Sequence, residues 1–115
     1  MKLIQPRFDV RLLSEAEDFV LAQDIKVQQK ITYNINKARY VIDNELFKKL
    51  EGTDIWEFRT LYNGICYRLL AFWDKDANSM VIATHGFVKK TDKTPKNEIE
   101  RAENIRNQYF INKQD

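Results

Sequence analysis

The chain has 115 residues and a mass of 13.7 kDa, which suffices for one compact domain with a single core and excludes a multidomain enzyme. Apolar residues make up 43% of the sequence and charged residues 31%, a balance typical of a globular domain rather than of a disordered or a membrane protein. The 19 basic and 17 acidic residues leave a net charge of only +2, so any basic binding surface must be local.

Cysteine usage and hydropathy indicate the cellular compartment in which the protein is expected. Cys66 is the only cysteine, which excludes an intramolecular disulfide and a Cys-x-x-Cys motif. Residues 1–13 contain no apolar run long enough for a signal peptide, and no stretch is long enough to cross a bilayer. We therefore expect a single domain over residues 1–115, located in the cytoplasm and without contact to a membrane.

Apolar residues recur at helical spacing through the first third of the chain. This periodicity predicts one helix over residues 9–23 and a second, antiparallel to it, over residues 24–40. Before them, residues 3–8 are expected to form an edge strand, because Pro6 lacks the N–H donor that a central strand needs.

The middle of the chain predicts a β-hairpin. Residues 55–73 are rich in aromatic and β-branched residues and contain Asn63-Gly64, a strong signal for a two-residue turn of type I′. Such a turn fixes the strand register and places Arg59 directly opposite Arg68. The same register predicts five further pairs: Trp56 with Ala71, Phe58 with Leu69, Thr60 with Tyr67, Glu57 with Leu70, and Leu61 with Cys66.

One more strand and a helix complete the predicted order. A third strand from Met80 to about Phe87 follows a polar turn at residues 74–78 and is expected to pair with the strand before it. Thr94 is predicted to cap the final helix, with Pro95 at its first position. The apolar stripe of this helix consists of Ile99, Ala102, Ile105 and Tyr109. Two helices, a meander of antiparallel strands and a C-terminal helix define an α+β fold.

The predicted Arg59–Arg68 pair is the most informative chemical feature. Two guanidiniums directly across a hairpin repel each other by up to about 1 kcal/mol unless an anion compensates them. One interpretation is that Glu57, on the same face, compensates the pair within the protein. The other is that the pair holds a phosphate group, which suits the planar fork of arginine.

A lysine-rich segment follows the third strand. Residues 85–96 contain one aspartate and four lysines: Lys89, Lys90, Lys93 and Lys96. Alone, such a segment is typical of solvated surface. In an antiparallel meander, however, Lys89 and Lys90 reach the face that carries Arg68. The arginine pair and the lysines together predict a phosphate-binding cleft.

The remaining reactive side chains occur singly. His85 is the only histidine, so it cannot build a catalytic triad or a zinc site with the carboxylates in view. We expect a structural hydrogen bond from His85 at the end of its strand, with proton transfer as the alternative role. Cys66 shares the arginine face and, without an adjacent base, is expected to be a small apolar filler.

Several of these motifs resemble one toxin family. Residues 55–59 (IWEFR), 67–70 (YRLL) and 85–95 (HGFVKKTDKTP) followed by a helix are similar to the HigB-type branch of the RelE/ParE toxin superfamily, a group also described as phage-derived toxin-like proteins. The resemblance extends over residues 9–108. It implies the family fold, in which two N-terminal helices pack on a small twisted antiparallel sheet.

The resemblance also implies a function, namely the toxin of a type II toxin–antitoxin pair with a helix-turn-helix antitoxin of the HigA type as partner. Relatives similar to RelE cleave mRNA on the ribosome without a metal or cofactor, by attack of a ribose 2′-hydroxyl on the adjacent phosphate. The implied catalytic residues are Arg59, Arg68, Lys89 and Lys90, and the implied RNA-contacting residues are Glu57, His85, Lys93 and Lys96.

Two other functions stay open at the level of sequence. A ParE-like toxin would inhibit DNA gyrase without cleaving RNA, although the paired arginines and the lysine segment argue against it. Alternatively, the chain could keep the fold and the antitoxin-binding surface without any activity, because a fold alone does not decide among functions.

Overall fold

A computed structural model describes residues 4–77 and 79–114. Within this part of the chain, eight regular elements follow one another, and a 3-10 turn at Lys75–Ala77 joins the fourth strand to the fifth. The elements are β1 (Asp9–Leu12), α1 (Ser14–Leu21), α2 (Ile25–Tyr40), β2 (Phe47–Lys49), β3 (Trp56–Tyr62), β4 (Ile65–Asp74), β5 (Met80–Lys89) and α3 (Lys96–Lys113).

The sheet has the strand order β1-β5-β4-β3-β2 and is mixed. β1 runs parallel to β5, with Asp9 opposite Met80 and Leu12 opposite Ala83, whereas the other neighbouring strands are antiparallel. The predicted architecture of two N-terminal helices on a small antiparallel sheet was therefore wrong, because a strand precedes the helices and its parallel pairing makes the sheet mixed.

The error arose at the N-terminal strand. Residues 9–12 alternate between exposed and half-buried positions, but sequence analysis assigned Val10 to a helical stripe. The helix therefore begins at Ser14 rather than at residue 9. The edge strand predicted for residues 3–8 was also wrong for residues 4–8, which are irregular, while Leu3 lies outside the described residues.

The β3–β4 hairpin confirms the predicted register at every pair from Trp56–Ala71 to Tyr62–Ile65. Asn63 and Gly64 have φ angles of 50° and 75°, which are the left-handed conformations that a type I′ turn requires. The predicted pairing of β4 with β5 is confirmed as well. β4 continues to Asp74 and a 3-10 turn follows it, while Asn78, part of the predicted polar turn, lies outside the described residues.

Two apolar clusters lie on opposite faces of the sheet, because alternate residues of β4 belong to different clusters. The first joins buried residues of α1 and α2, among them Val20 and Ile31, to residues of the sheet such as Leu69. α1 comes so close to β5 that a Cβ added at Gly86 would meet the ring of Phe19. The second cluster joins Leu70, Phe72, Ile82 and Phe87 to Ala102 of α3.

No helix among the described residues combines the length and the apolar character that crossing a bilayer requires.

Candidate functional site

Three strands bring charged side chains together on one face of the sheet. Glu57 and Arg59 occupy alternate positions of β3, and Arg68 of β4 lies opposite Arg59. Lys89 of β5 lies opposite Cys66, and Cys66 precedes Arg68 by two residues on β4. Side chains at alternate and directly paired positions share a face. We refer to Glu57, Arg59, Arg68 and Lys89 as the arginine cluster.

Glu57 lies at the centre of the arginine cluster. Its side chain is only 2% exposed, and its Oε1 atom lies 3.4 Å from Nε of Arg59 and 3.2 Å from Nε of Arg68. Its Oε2 atom accepts a hydrogen bond of 2.5 Å from the Oγ1 hydroxyl of Thr94. The internal carboxylate thus compensates one of the three positive charges, and the cluster keeps an excess of positive charge.

The protein does not satisfy the hydrogen-bonding capacity of the two arginines. Both Nε atoms are buried and, among the described residues, have no hydrogen-bond partner, because the contacts with Glu57 are close without hydrogen-bond geometry. One terminal nitrogen of Arg59 donates to the carbonyl of Asn44 at 3.4 Å, and one of Arg68 donates to the carbonyl of Tyr67 at 3.3 Å. The second terminal nitrogen of each guanidinium makes no hydrogen bond within the described residues and is the donor that could bind an anionic ligand.

The two guanidiniums differ in accessibility. The side chain of Arg59 is 27% exposed and that of Arg68 is 8% exposed. An anion that approaches from solvent therefore meets Arg59 before Arg68. The less hydrated Arg68 interacts more strongly with negative charge, since the local dielectric constant is lower there.

Lys89 is half-buried at the end of β5. Burial lowers the pKa of Lys89 below its ordinary value of 10.5; the charge of Glu57 opposes this shift, and the charges of Arg68 and Arg59 add to it. The structure thus brings one predicted lysine into electrostatic contact with the arginine pair. A lysine with a lowered pKa can both stabilise negative charge and transfer a proton.

The other predicted lysines, Lys90, Lys93 and Lys96, lie after β5, in the loop and at the start of α3. All three side chains are exposed, and in the described part of the chain none of them forms an ion pair. They provide solvated positive charge close in sequence to Lys89. Sequence analysis missed Lys48, an exposed residue of β2 whose register partner is Glu57 and which therefore shares the face of the arginine cluster.

His85 is buried rather than presented at the surface. Its side chain has an exposed fraction of 2%; Nδ1 lies 3.0 Å from the hydroxyl of Thr84, and Nε2 lies 3.1 Å from Oε1 of Glu98 in α3. Burial lowers the pKa of His85, although Glu98 opposes the shift. The structure therefore connects His85 to α3 and does not place its ring among the exposed basic side chains.

Sequence analysis also missed Thr94 as a member of the site, because it assigned this residue to the helix cap. That assignment was wrong: Pro95 occupies the N-cap position, α3 begins at Lys96, and no side chain of the described residues caps its start. The hydroxyl of Thr94 instead reaches Glu57, which lies 37 residues earlier in the chain. No local pattern around a Thr-Pro pair indicates such a distant partner.

A second polar cluster lies at the opposite end of β4. Asp74 is fully buried and accepts hydrogen bonds from the Tyr109 hydroxyl at 2.6 Å and from Lys113 Nζ at 2.7 Å. Burial alone would raise the pKa of Asp74, but the hydrogen bonds from Lys113 and Tyr109 outweigh it and hold this pKa below 3.8. Tyr109 thus tethers α3 to the sheet, far along β4 from the arginine cluster.

Comparisons with known proteins agree with the resemblance at the level of family and fold. Residues 18–107 match the family described as "Phage derived protein Gp49-like (DUF891)", and the chain belongs to this family. It is similar to a chain of the crystal structure of the intact E. coli RelBE toxin–antitoxin complex, with a TM-score of 0.52 and 15% sequence identity. This similarity covers 75% of the present chain and 99% of that chain.

No curated protein matches the chain. The expectation of a phage-derived family with a RelE-like fold is therefore confirmed, whereas membership of the HigB branch stays a prediction.

Proposed function

We propose that this single domain is the toxin of a type II toxin–antitoxin system and acts as a ribosome-dependent mRNA endoribonuclease. The observation that carries the proposal is the arginine cluster, in which two guanidiniums lie within 3.4 Å of one buried carboxylate, Lys89 lies near enough for its charge to interact with theirs, and positive charge is in excess. The Gp49-like family and a fold shared with a chain of a toxin–antitoxin complex support the same class of function.

The proposed reaction needs the charges that the arginine cluster supplies. A ribose 2′-hydroxyl loses its proton, its oxygen attacks the adjacent phosphorus, the bond from phosphorus to the 5′-oxygen breaks, and that oxygen receives a proton. The products are a 2′,3′-cyclic phosphate and a 5′-hydroxyl. Negative charge grows on the phosphoryl oxygens in the transition state, where Arg59, Arg68 and Lys89 stabilise it. The mechanism uses no metal or cofactor.

The lysine segment extends this site toward the rest of the RNA. Lys90, assigned to catalysis, and the RNA-contacting residues Lys93 and Lys96 carry exposed charge that attracts phosphate groups. The resemblance implies RNA contact for Glu57 and His85 as well, but both side chains are buried and therefore act on the RNA only through neighbouring residues. The proposed partners are the ribosome with its mRNA and a helix-turn-helix antitoxin of the HigA type, and the proposed location is the cytoplasm.

The experiment is expression of the chain alone in bacteria, with growth and transcript integrity as readouts. We expect growth arrest with cleavage of translated mRNA, and Arg68→Ala should abolish both, since loss of one such donor reduces turnover by about 100-fold or more. Arg68→Lys keeps the charge but loses the fork, so it should restore little activity. Arg11→Ala, which removes an exposed arginine from β1, is the matched control and should behave as wild type.

Circular dichroism establishes that each variant is folded, and Arg59→Ala replaces Arg68→Ala if the latter is not. Growth arrest with intact transcripts would contradict the proposal in favour of gyrase inhibition. Absence of arrest by the wild-type chain would contradict it in favour of an inactive relative.

A further inference from the structure

The carboxylate at the centre of the arginine cluster conflicts with a purely electrostatic role of the site. Glu57 lies within 3.4 Å of the two guanidiniums that would hold the phosphate. Its negative charge opposes binding of a second anion and weakens the stabilisation of phosphoryl oxygens. If charge alone mattered at this position, a neutral residue would serve the proposed reaction better.

Glu57 restricts the two arginines through a single oxygen atom. Its Oε1 contacts Nε of both side chains, and the hydrogen bond from Thr94 to Oε2 anchors the buried carboxylate. A free arginine side chain has rotamer freedom of about 2 kcal/mol, which an enzyme must otherwise overcome when it aligns the group. The carboxylate also offsets the repulsion between two guanidiniums that face each other across a hairpin.

We propose that Glu57 is a positioning residue, fixed by Thr94, that holds Arg59 and Arg68 side by side for the reacting phosphate. The negative charge of Glu57 weakens anion binding at the same time. This inference rests on the proposed nuclease function and deepens it. It assigns opposite effects to one residue: the charge of Glu57 lowers affinity for phosphate groups, and its contacts raise the rate of the chemical step.

Glu57→Gln separates these two effects, because glutamine keeps the shape and an acceptor for Thr94 but carries no charge. Binding is measured by fluorescence anisotropy with a short all-deoxy oligonucleotide, which has phosphates and no 2′-hydroxyl nucleophile. We expect about 3- to 10-fold tighter binding, as one unit of negative charge is removed. On programmed ribosomes, kcat for mRNA cleavage should fall about 10- to 100-fold while KM does not rise, since the arginines lose their alignment.

Three results would overturn the inference. A parallel loss of binding and kcat in a folded variant would show that Glu57 is merely structural. A parallel gain would show that it only competes with the substrate, and an unchanged protein would show that it has no role. Wild-type protein that cleaves no RNA would overturn the proposed nuclease, and in that case unchanged oligonucleotide affinity in Glu57→Gln would also overturn the placement of Glu57 against the anion site.

Thr94→Val tests whether Thr94 fixes the carboxylate of Glu57. This test does not depend on the folding of the Glu57 variant. Valine keeps the side-chain volume and removes the donor to Glu57 without altering the charge. Oligonucleotide affinity should therefore stay within about twofold, and kcat should fall about 3- to 10-fold, the effect of one lost hydrogen bond. Thr94→Ser should restore kcat, because it returns the hydroxyl.

The control is Thr32→Val, which makes the same change at an exposed position of α2, outside the arginine cluster and the lysine segment. It should leave both affinity and kcat unchanged. A wild-type kcat in Thr94→Val would overturn the role of Thr94, as would an equal loss in Thr32→Val.

Discussion

Lys89 is the cation of the arginine cluster whose charge can change within an accessible pH range. Arginine keeps its proton at every pH at which proteins are folded, whereas an ammonium group that leaves water becomes easier to deprotonate. The half-buried position of Lys89 beside Arg68 and Arg59 has this effect. The positive charge of the cluster is thus fixed at two positions and titratable at the third.

We expect the affinity of the wild-type protein for an all-deoxy oligonucleotide to fall as the pH rises through the pKa of Lys89, which lies below 10.5. The sign follows from the loss of the proton, because neutral Lys89 no longer attracts phosphate. Lys89→Arg should remove this step, since a guanidinium keeps its charge. Anisotropy titrations from about pH 7 to about pH 10 measure the effect.

Lys26→Arg is the control for this titration, because Lys26 is exposed on α2 and should leave the wild-type pH profile unchanged. A profile of Lys89→Arg that still shows the step would assign the titration to another group.

At the scale of elements, polar contacts near both ends of α3 add to the apolar packing of this helix on the second cluster. Of its 18 residues, Ala102 alone is buried. Near its start, Glu98 contacts His85, and in its last turns Tyr109 and Lys113 bind Asp74. These contacts are directional, so the apolar packing of the helix does not compensate for the loss of one of them.

We therefore expect Tyr109→Phe to lower the free energy of unfolding by about 1–3 kcal/mol, as it leaves the buried Asp74 with one donor fewer. The ring of residue 109 would still pack against Phe72, whose centroid lies 5.2 Å away, so the change isolates the hydroxyl. Urea denaturation followed by tryptophan fluorescence gives the value. Tyr33→Phe is the matched control, because Tyr33 is 61% exposed on α2 and should change stability by less than about 0.5 kcal/mol.

Equal stability changes in the two tyrosine variants would contradict the importance of the Asp74 contact. A large change in Tyr109→Phe alone would support it.

The elements also show which parts of the molecule the sequence can predict. The hairpin and the facing arginines were predictable because Asn63-Gly64 fixes the register locally. β1 was not predictable, since this short strand is stabilised by a parallel partner that lies about 70 residues later in the chain. The arginines and Lys89 were predictable as a group because they follow from the pairing of consecutive strands. The contact of Thr94 with Glu57 was not predictable, because it depends on tertiary packing that no local pattern indicates.

At the scale of the whole molecule, the net charge of +2 conceals an uneven distribution. The arginine cluster and the exposed Lys90, Lys93 and Lys96 concentrate positive charge around the end of β5. Acidic and basic residues elsewhere largely cancel. The strength of nucleic-acid binding should therefore depend on this region and not on the total charge.

We expect the logarithm of the oligonucleotide affinity to fall with the logarithm of salt concentration with a slope of about −2 to −3, which corresponds to three or four phosphate contacts. Replacing Lys93 and Lys96 by glutamine should reduce the magnitude of the slope by about 1.4, because two contacts are lost. The matched control replaces Lys26 and Lys37, both exposed on α2, and should keep the wild-type slope.

A slope that is unchanged in the first double variant would exclude Lys93 and Lys96 from the nucleic-acid interface. An equal reduction in both double variants would mean that only the total charge matters.

The parallel pairing of β1 with β5 has a consequence for the order in which the protein is completed during synthesis. β1 is the first of the described strands to be translated, and its partner β5 is the last. A nascent chain can form the β3–β4 hairpin early, whereas the backbone groups of β1 can pair only after residues 80–83 have been synthesised. Because β5 also carries Lys89, the same late strand closes the sheet and completes the arginine cluster, so an unfinished chain has neither.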